Sequence, residues 1–107
     1  MNKSISDTRK FLINRLGYLR NKANMSAREL SQTLGYSPAY IAKFENGDFS
    51  IPAEVLLEAI EICNSTPNEF FYPNLEEYEK DKELIEILST LSKDSKQTLI
   101  DLAKKLK

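Results

Sequence analysis

Residues 26–47 read Ser26-Ala-Arg-Glu-Leu-Ser-Gln-Thr-Leu-Gly-Tyr-Ser-Pro-Ala-Tyr-Ile-Ala-Lys-Phe-Glu-Asn-Gly47. The spacing predicts two short helices joined by a tight turn, each with its own start signal. Ser26 is placed to cap the first, and Glu29 three residues on completes a capping box that satisfies two otherwise orphaned backbone donors. Leu30 and Leu34, four apart, fall on one face. Gly35 stands where the chain must turn sharply, because glycine takes positive φ without steric cost. Ser37 opens the second helix, with Pro38 at the first helical position, where a missing N–H is harmless. Ile41 and Phe44 give that helix an apolar edge, and Gly47 stops it.

Upstream, a helix is expected from Asp7 to Ala23, with Phe11, Leu12, Leu16 and Leu19 at helical spacing. Gly17 in its interior costs up to about 1 kcal/mol relative to alanine, so close packing is expected there. Met25 is expected in the core just ahead of the Ser26 cap. Downstream, residues 48–51 form a loop and Pro52 begins a fourth helix to Cys63. Its wide apolar face (Val55, Leu56, Ala59, Ile60, Ile62, Cys63) marks a helix buried on most sides. A second capping box, Thr66-Pro67-Asn68-Glu69, opens a short fifth helix, after which Phe70 and Phe71 are expected to close the core together. Tyr36 is expected to pack in the turn and Tyr40 to face outward.

After Pro73 the character changes. Residues 75–91 and a last helix, capped by Ser92 and ending at Leu106, carry amphipathic stripes. One helical hairpin buries little by itself, so its spare apolar surface must cover the N-terminal domain, a second copy or another protein.

A chain of 107 residues supports one small core. With 41% hydrophobic and 29% charged residues it suits a soluble globular protein rather than a disordered one. No apolar run approaches the roughly 18 residues of a membrane span, and no hydrophobic signal region opens the sequence. The single cysteine, Cys63, has no internal disulfide partner, which points to a reducing cytoplasm. It reads as a small core residue, since no histidine or second thiol stands ready to make it a metal ligand. Glu54, Glu58 and Glu61 recur at the three-to-four spacing of a solvated helix face. Nothing supplies a nucleophile–base pair or a glycine-rich phosphate loop, so neither an enzyme nor a cofactor is expected.

The net charge of −1 hides an uneven distribution. Residues 1–24 carry six positive charges (Lys3, Arg9, Lys10, Arg15, Arg20, Lys22) against Asp7 alone, whereas residues 51–79 carry seven glutamates and no cation. Such a chain can attract phosphate on one face and repel it on another, or simply carry solvated faces that differ.

Helix, glycine turn and helix within residues 26–47 is the helix-turn-helix arrangement. Together with Pro52-Ala-Glu-Val-Leu-Leu and Thr66-Pro67-Asn68-Glu69-Phe70-Phe71, it resembles the five-helix DNA-binding domain of the phage-repressor family (Cro/C1-type, also called XRE-type) over roughly residues 11–71. The resemblance implies an all-α fold: a flexible arm at 1–8, a lambda-repressor-like DNA-binding domain at 9–73, and a two-helix extension at 74–107 for dimerisation or partner binding. It further implies that helix 37–45 enters the major groove while helix 26–34 lies across the backbone.

By the same resemblance, Pro38, Ala39 and Lys43 face bases. Ala27, Arg28, Tyr40 and Asn46 lie near phosphate or sugar, and Ser37 opens the recognition helix beside them. Arg20 and Glu45 match a structural ion pair between the first helix and the end of the recognition helix; truncating one partner of a buried pair costs about 3–5 kcal/mol. Alanine replaces a frequent glutamine at position 27, which leaves only backbone N–H groups for phosphate there. Pro38 and Ala39 offer apolar contact alone, so Lys43 is the one strong donor to a base edge. The loop after Gly47, often basic in the family, is Asp48-Phe49 here.

The function implied is a sequence-specific double-stranded DNA-binding transcriptional regulator, a cytoplasmic repressor acting as a homodimer on a near-palindromic operator. A regulatory protein partner is a second candidate for the extension. The competing expectation is an interaction module of the same fold, antagonist or antitoxin-like, with weak or no DNA binding.

Overall fold

The computed structural model describes residues 5–107. Among them the chain is all-helical: α1 (Ile5–Lys22), α2 (Ala27–Thr33), α3 (Tyr40–Glu45), α4 (Ala53–Ile62), α5 (Pro67–Phe70), a 3-10 turn (Leu75–Glu77), α6 (Tyr78–Ser89) and α7 (Lys93–Leu106). No helix of the described residues is long and apolar enough to cross a membrane. Of the arm expected at 1–8, positions 5–8 are the first turn of α1 and 1–4 lie outside the described residues. Asp7 sits in that turn, where the helix dipole favours a negative charge.

Four helices end by one local device. Asn24, Gly35, Gly47 and Asn64 take φ of 56°, 86°, 85° and 59°. In each case the N–H of the following residue returns to a carbonyl five positions back: Met25 to Arg20, Tyr36 to Ser31, Asp48 to Lys43, and Ser65 to Ile60. This is the Schellman closure, which satisfies carbonyls that a helix end leaves orphaned. The two ends that bracket the turn and α3 use glycine; the outer two use asparagine, which tolerates the left-handed region at some cost.

The chain divides into two compact units between Phe71 and Tyr72, two residues ahead of the boundary expected at 73/74. All five helices of the first unit feed one core: Leu16 and Leu19, Leu30, Ile41 and Phe44, Leu56, Ala59 and Ile60 with Cys63, and Phe70. Phe70 is fully buried, but Phe71 is 54% exposed and stacks on Phe11 at 6.3 Å. The two phenylalanines therefore do not close the core together, because α5 is a single turn and adjacent residues on it diverge. Thr66 caps α5 by accepting the Glu69 N–H at 3.2 Å, and the buried Glu69 carboxylate receives Lys22 Nζ at 2.9 Å and Ser65 Oγ at 2.6 Å. Burial pushes the Cys63 thiol up in pKa, consistent with packing rather than reactivity. A methyl group on Gly17 would meet only the Glu45 carboxylate, at an ordinary 3.7 Å, so the expected close packing is not what places a glycine there.

In the second unit, Tyr72 lies edge-on to Tyr78 and its hydroxyl donates to Asp81, which pushes the phenol's pKa up. Ser92 caps α7, accepting the Ser95 N–H at 3.1 Å. The apolar stripes of α6 and α7 line an open groove of about 450 Å³. Leu84, Ile85, Ile87, Leu99, Ile100, Leu102 and Leu106 all remain exposed, from 40% at Leu99 to 78% at Leu106.

Candidate nucleic-acid interface

Three devices position α3. The first is Arg20, whose guanidinium faces Glu45 in a two-point pair: Nε to Oε2 at 2.9 Å and Nη2 to Oε1 at 3.0 Å. Its remaining terminal nitrogen, Nη1, donates to the Met25 carbonyl at 2.9 Å and Asn21 Oδ1 at 3.3 Å. One side chain of α1 thus ties the chain entering α2 to the last residue of α3. The pair is only 14% and 20% exposed, so solvent screening is limited.

Ser31, the second, is fully buried on α2. Its hydroxyl donates to the Ala27 carbonyl at 2.7 Å and accepts the Ile41 N–H at 2.9 Å. That N–H is one of the donors α3 cannot satisfy internally. The sequence points to Ser37 as the cap of a helix 37–45, but α3 starts at Tyr40, and its boundary residue Ala39 makes no side-chain cap. Residues 37–39 instead form a turn closed by the Tyr40 N–H on the Ser37 carbonyl at 3.0 Å. The cap comes across the turn from α2, where Ser31 Oγ accepts the Ile41 N–H.

An aromatic stack is the third device. Tyr36 and Tyr40 lie parallel at 4.2 Å, and Tyr40 and Phe44 each meet Phe49, at 4.9 Å and 6.0 Å. Tyr36 packs in the turn against Tyr40 yet stays 44% exposed, while Tyr40, expected to face outward, is half-buried, its hydroxyl raised in pKa by burial and then by Tyr36. Phe49 is the reason. Lying in the loop after α3, it gives Tyr40 an inner neighbour.

On this scaffold Ala39, Lys43 and Asn46 recur at the three-to-four spacing of one helix face, and all three are exposed. Ser37 and Pro38 are exposed in the turn just ahead. Arg28 is exposed near the start of α2, whereas Ala27 is partly buried against the core. The capping box at Ser26 is complete, with the Glu29 N–H on Ser26 Oγ at 3.0 Å and the Ser26 N–H on Glu29 Oε1 at 3.1 Å. Ala27 and Tyr40 are the members of the expected contact set drawn partly into the protein.

Two residues were not singled out in the sequence. Ser31 left only a faint signal, a hydroxyl beside the apolar register of a helix, able to bond the carbonyl four residues back. Arg9 was one of many N-terminal cations; it reaches Ser50 Oγ at 2.6 Å, across to the loop after α3. Beside it, α1 and the end of α3 form a cleft of about 390 Å³ lined by Arg9, Lys10, Asn14, Asn46 and Gly47, among others.

The family model described as helix-turn-helix matches residues 16–70, half of the chain and all of α2 to α5. Comparison with curated proteins and with solved structures gave no match. With the motif's turn, cap and ion pair in place around α2 and α3, the chain belongs to the Cro/C1-type helix-turn-helix family of DNA-binding regulators.

Proposed function

We propose that the protein is a transcriptional repressor that binds a near-palindromic operator as a homodimer. The observation that carries this is the exposed stripe Ala39–Lys43–Asn46 on a helix whose attitude is held by Arg20 and Ser31. A stripe so oriented fits the major groove, with Lys43 donating to a base edge, Pro38 and Ala39 touching apolar groups such as a thymine methyl, and Asn46 and Arg28 on the backbone. A face so poor in donors needs two half-sites to reach useful affinity, and the second unit offers the means of pairing. Its helix α6 carries four acids and two lysines, and α7 four lysines and two aspartates, around exposed apolar stripes. A two-fold axis sets α6 of one copy against α7 of the other, matching both apolar surface and charge.

Selection of bound duplexes from a random pool is the test. The expected product is a near-palindrome with half-sites one helical turn apart, about 10–10.5 bp, and Lys43→Ala should relax the preference at one position, by about 1–3 kcal/mol. If no duplex is enriched even at low salt, the chain is an interaction module of the same fold.

A further inference from the structure

The charge that the family's loop after the recognition helix commonly carries is missing here, where that loop begins Asp48-Phe49. The fold returns a cation to the same place by another route. We propose that Arg9 and Lys10 on α1, together with Asn46, form a clamp for one backbone phosphate of duplex DNA beside the base-reading stripe. The clamp presupposes the DNA-binding function proposed above and adds to it a contact from the part of α1 that precedes the matched residues 16–70.

The basic N-terminal region is not a uniform positive face. Arg15 lies over the Phe11 ring at 4.7 Å and donates to the Phe70 carbonyl at 2.6 Å. Arg20 is committed to Glu45 and Met25, and Lys22 to Glu69. Among the described residues of α1, Arg9 and Lys10 are the cations not so engaged with the core or an ion pair. Both line the cleft that Asn46 and Gly47 close from the end of α3.

Arg9 is half-buried, and its bond to Ser50 uses one of the five donors of the guanidinium. It is therefore oriented and still able to grip a phosphate oxygen, the geometry arginine suits best. Glu45 also lines the cleft, but its charge is matched by Arg20. The remaining acids close by in sequence are Asp7, in the first turn of α1, and Asp48, in the loop. Asn46 sits on the same exposed face as Lys43, so a phosphate held here lies beside the bases that α3 reads.

The experiment titrates the full chain with two labelled duplexes, one enriched from the random pool and one scrambled, between 50 and 200 mM salt. Arg9→Ala should lose about five- to tenfold in affinity on both duplexes alike, and its plot of log K against log salt should flatten by up to about 0.9, the limit set by one phosphate's counterion shared with Lys10. Arg9→Lys should restore the slope, and Ser50→Ala should leave it unchanged. Lys10→Ala, which removes an exposed side chain and cannot disturb the fold, should show a smaller loss of the same kind. An unchanged slope in both Arg9→Ala and Lys10→Ala overturns the clamp. So does an equal loss in Arg9→Ala and Ser50→Ala without a change of slope, which would make Arg9 a brace for the loop. A wild-type chain that binds neither duplex removes the DNA-binding function and the clamp together; wild-type binding with the two variants unmoved removes the clamp alone.

Discussion

The two units use similar sequence ingredients and reach different ends. Residues 5–71 supply a shared core from all five helices, with Leu16, Leu30, Ile41, Ile60 and Phe70 fully buried. Residues 72–107 carry apolar stripes of comparable quality, yet Leu84, Ile85, Ile100 and Leu102 stay about half exposed. The difference is one of geometry rather than composition. Five helices can surround a common centre; a pair of amphipathic helices leaves the outer half of each stripe uncovered. The first unit is complete in itself. The second leaves its apolar groove open.

The largest expected effect sharpens that contrast directly. Phe70→Ala should cost about 3–5 kcal/mol, seen as a lower denaturant midpoint for the first unit, because the ring is fully buried and its loss leaves a cavity. Leu102→Ala, at a residue 51% exposed, should leave that midpoint nearly unmoved and instead shift sedimentation toward the monomer. Should Leu102→Ala lower the midpoint as Phe70→Ala does, the units are not energetically separate. An intermediate effect is expected at Ser31→Ala. Stranding the buried Ile41 N–H should cost about 1–3 kcal/mol, with operator affinity falling further than stability alone explains, since α3 loses its anchor. The smallest is Gly17→Ala, which should raise stability by up to about 1 kcal/mol by thermal melting. There is room for the methyl group beside Glu45. A loss there would show that the Arg20–Glu45 pair does not tolerate the added bulk.

Helix existence was legible because its signals are local. The Ser26–Glu29 box, the Gly35 and Gly47 stops, the Thr66 and Ser92 caps and the leucine spacings each involve residues within five positions of one another. The structure departs from these local signals where a residue more distant in the chain prevails, and at the end of α5. Phe49 drew Tyr40 inward and left Tyr36 exposed. Ser31, ten residues away, took the capping task that Ser37 advertised. The single-turn length of α5 sent Phe71 outward. The candidate site shows the same division: the motif's positions lie close together in sequence, while the Arg9–Ser50 contact spans 41 positions and has no local signature.

The four Schellman closures bear on how the molecule comes to be folded. Stops written into each segment keep most partners near in sequence, and chains with such short-range partners fold fast. The first unit's core draws on no residue beyond Phe70, so its closure does not wait on α6 or α7. Its final form is a matter of time alone. In the dimer proposed above, the hairpin's exposed stripes wait for a second chain, so the step that readies two half-sites would be set by concentration, and the amount of protein would become part of the switch.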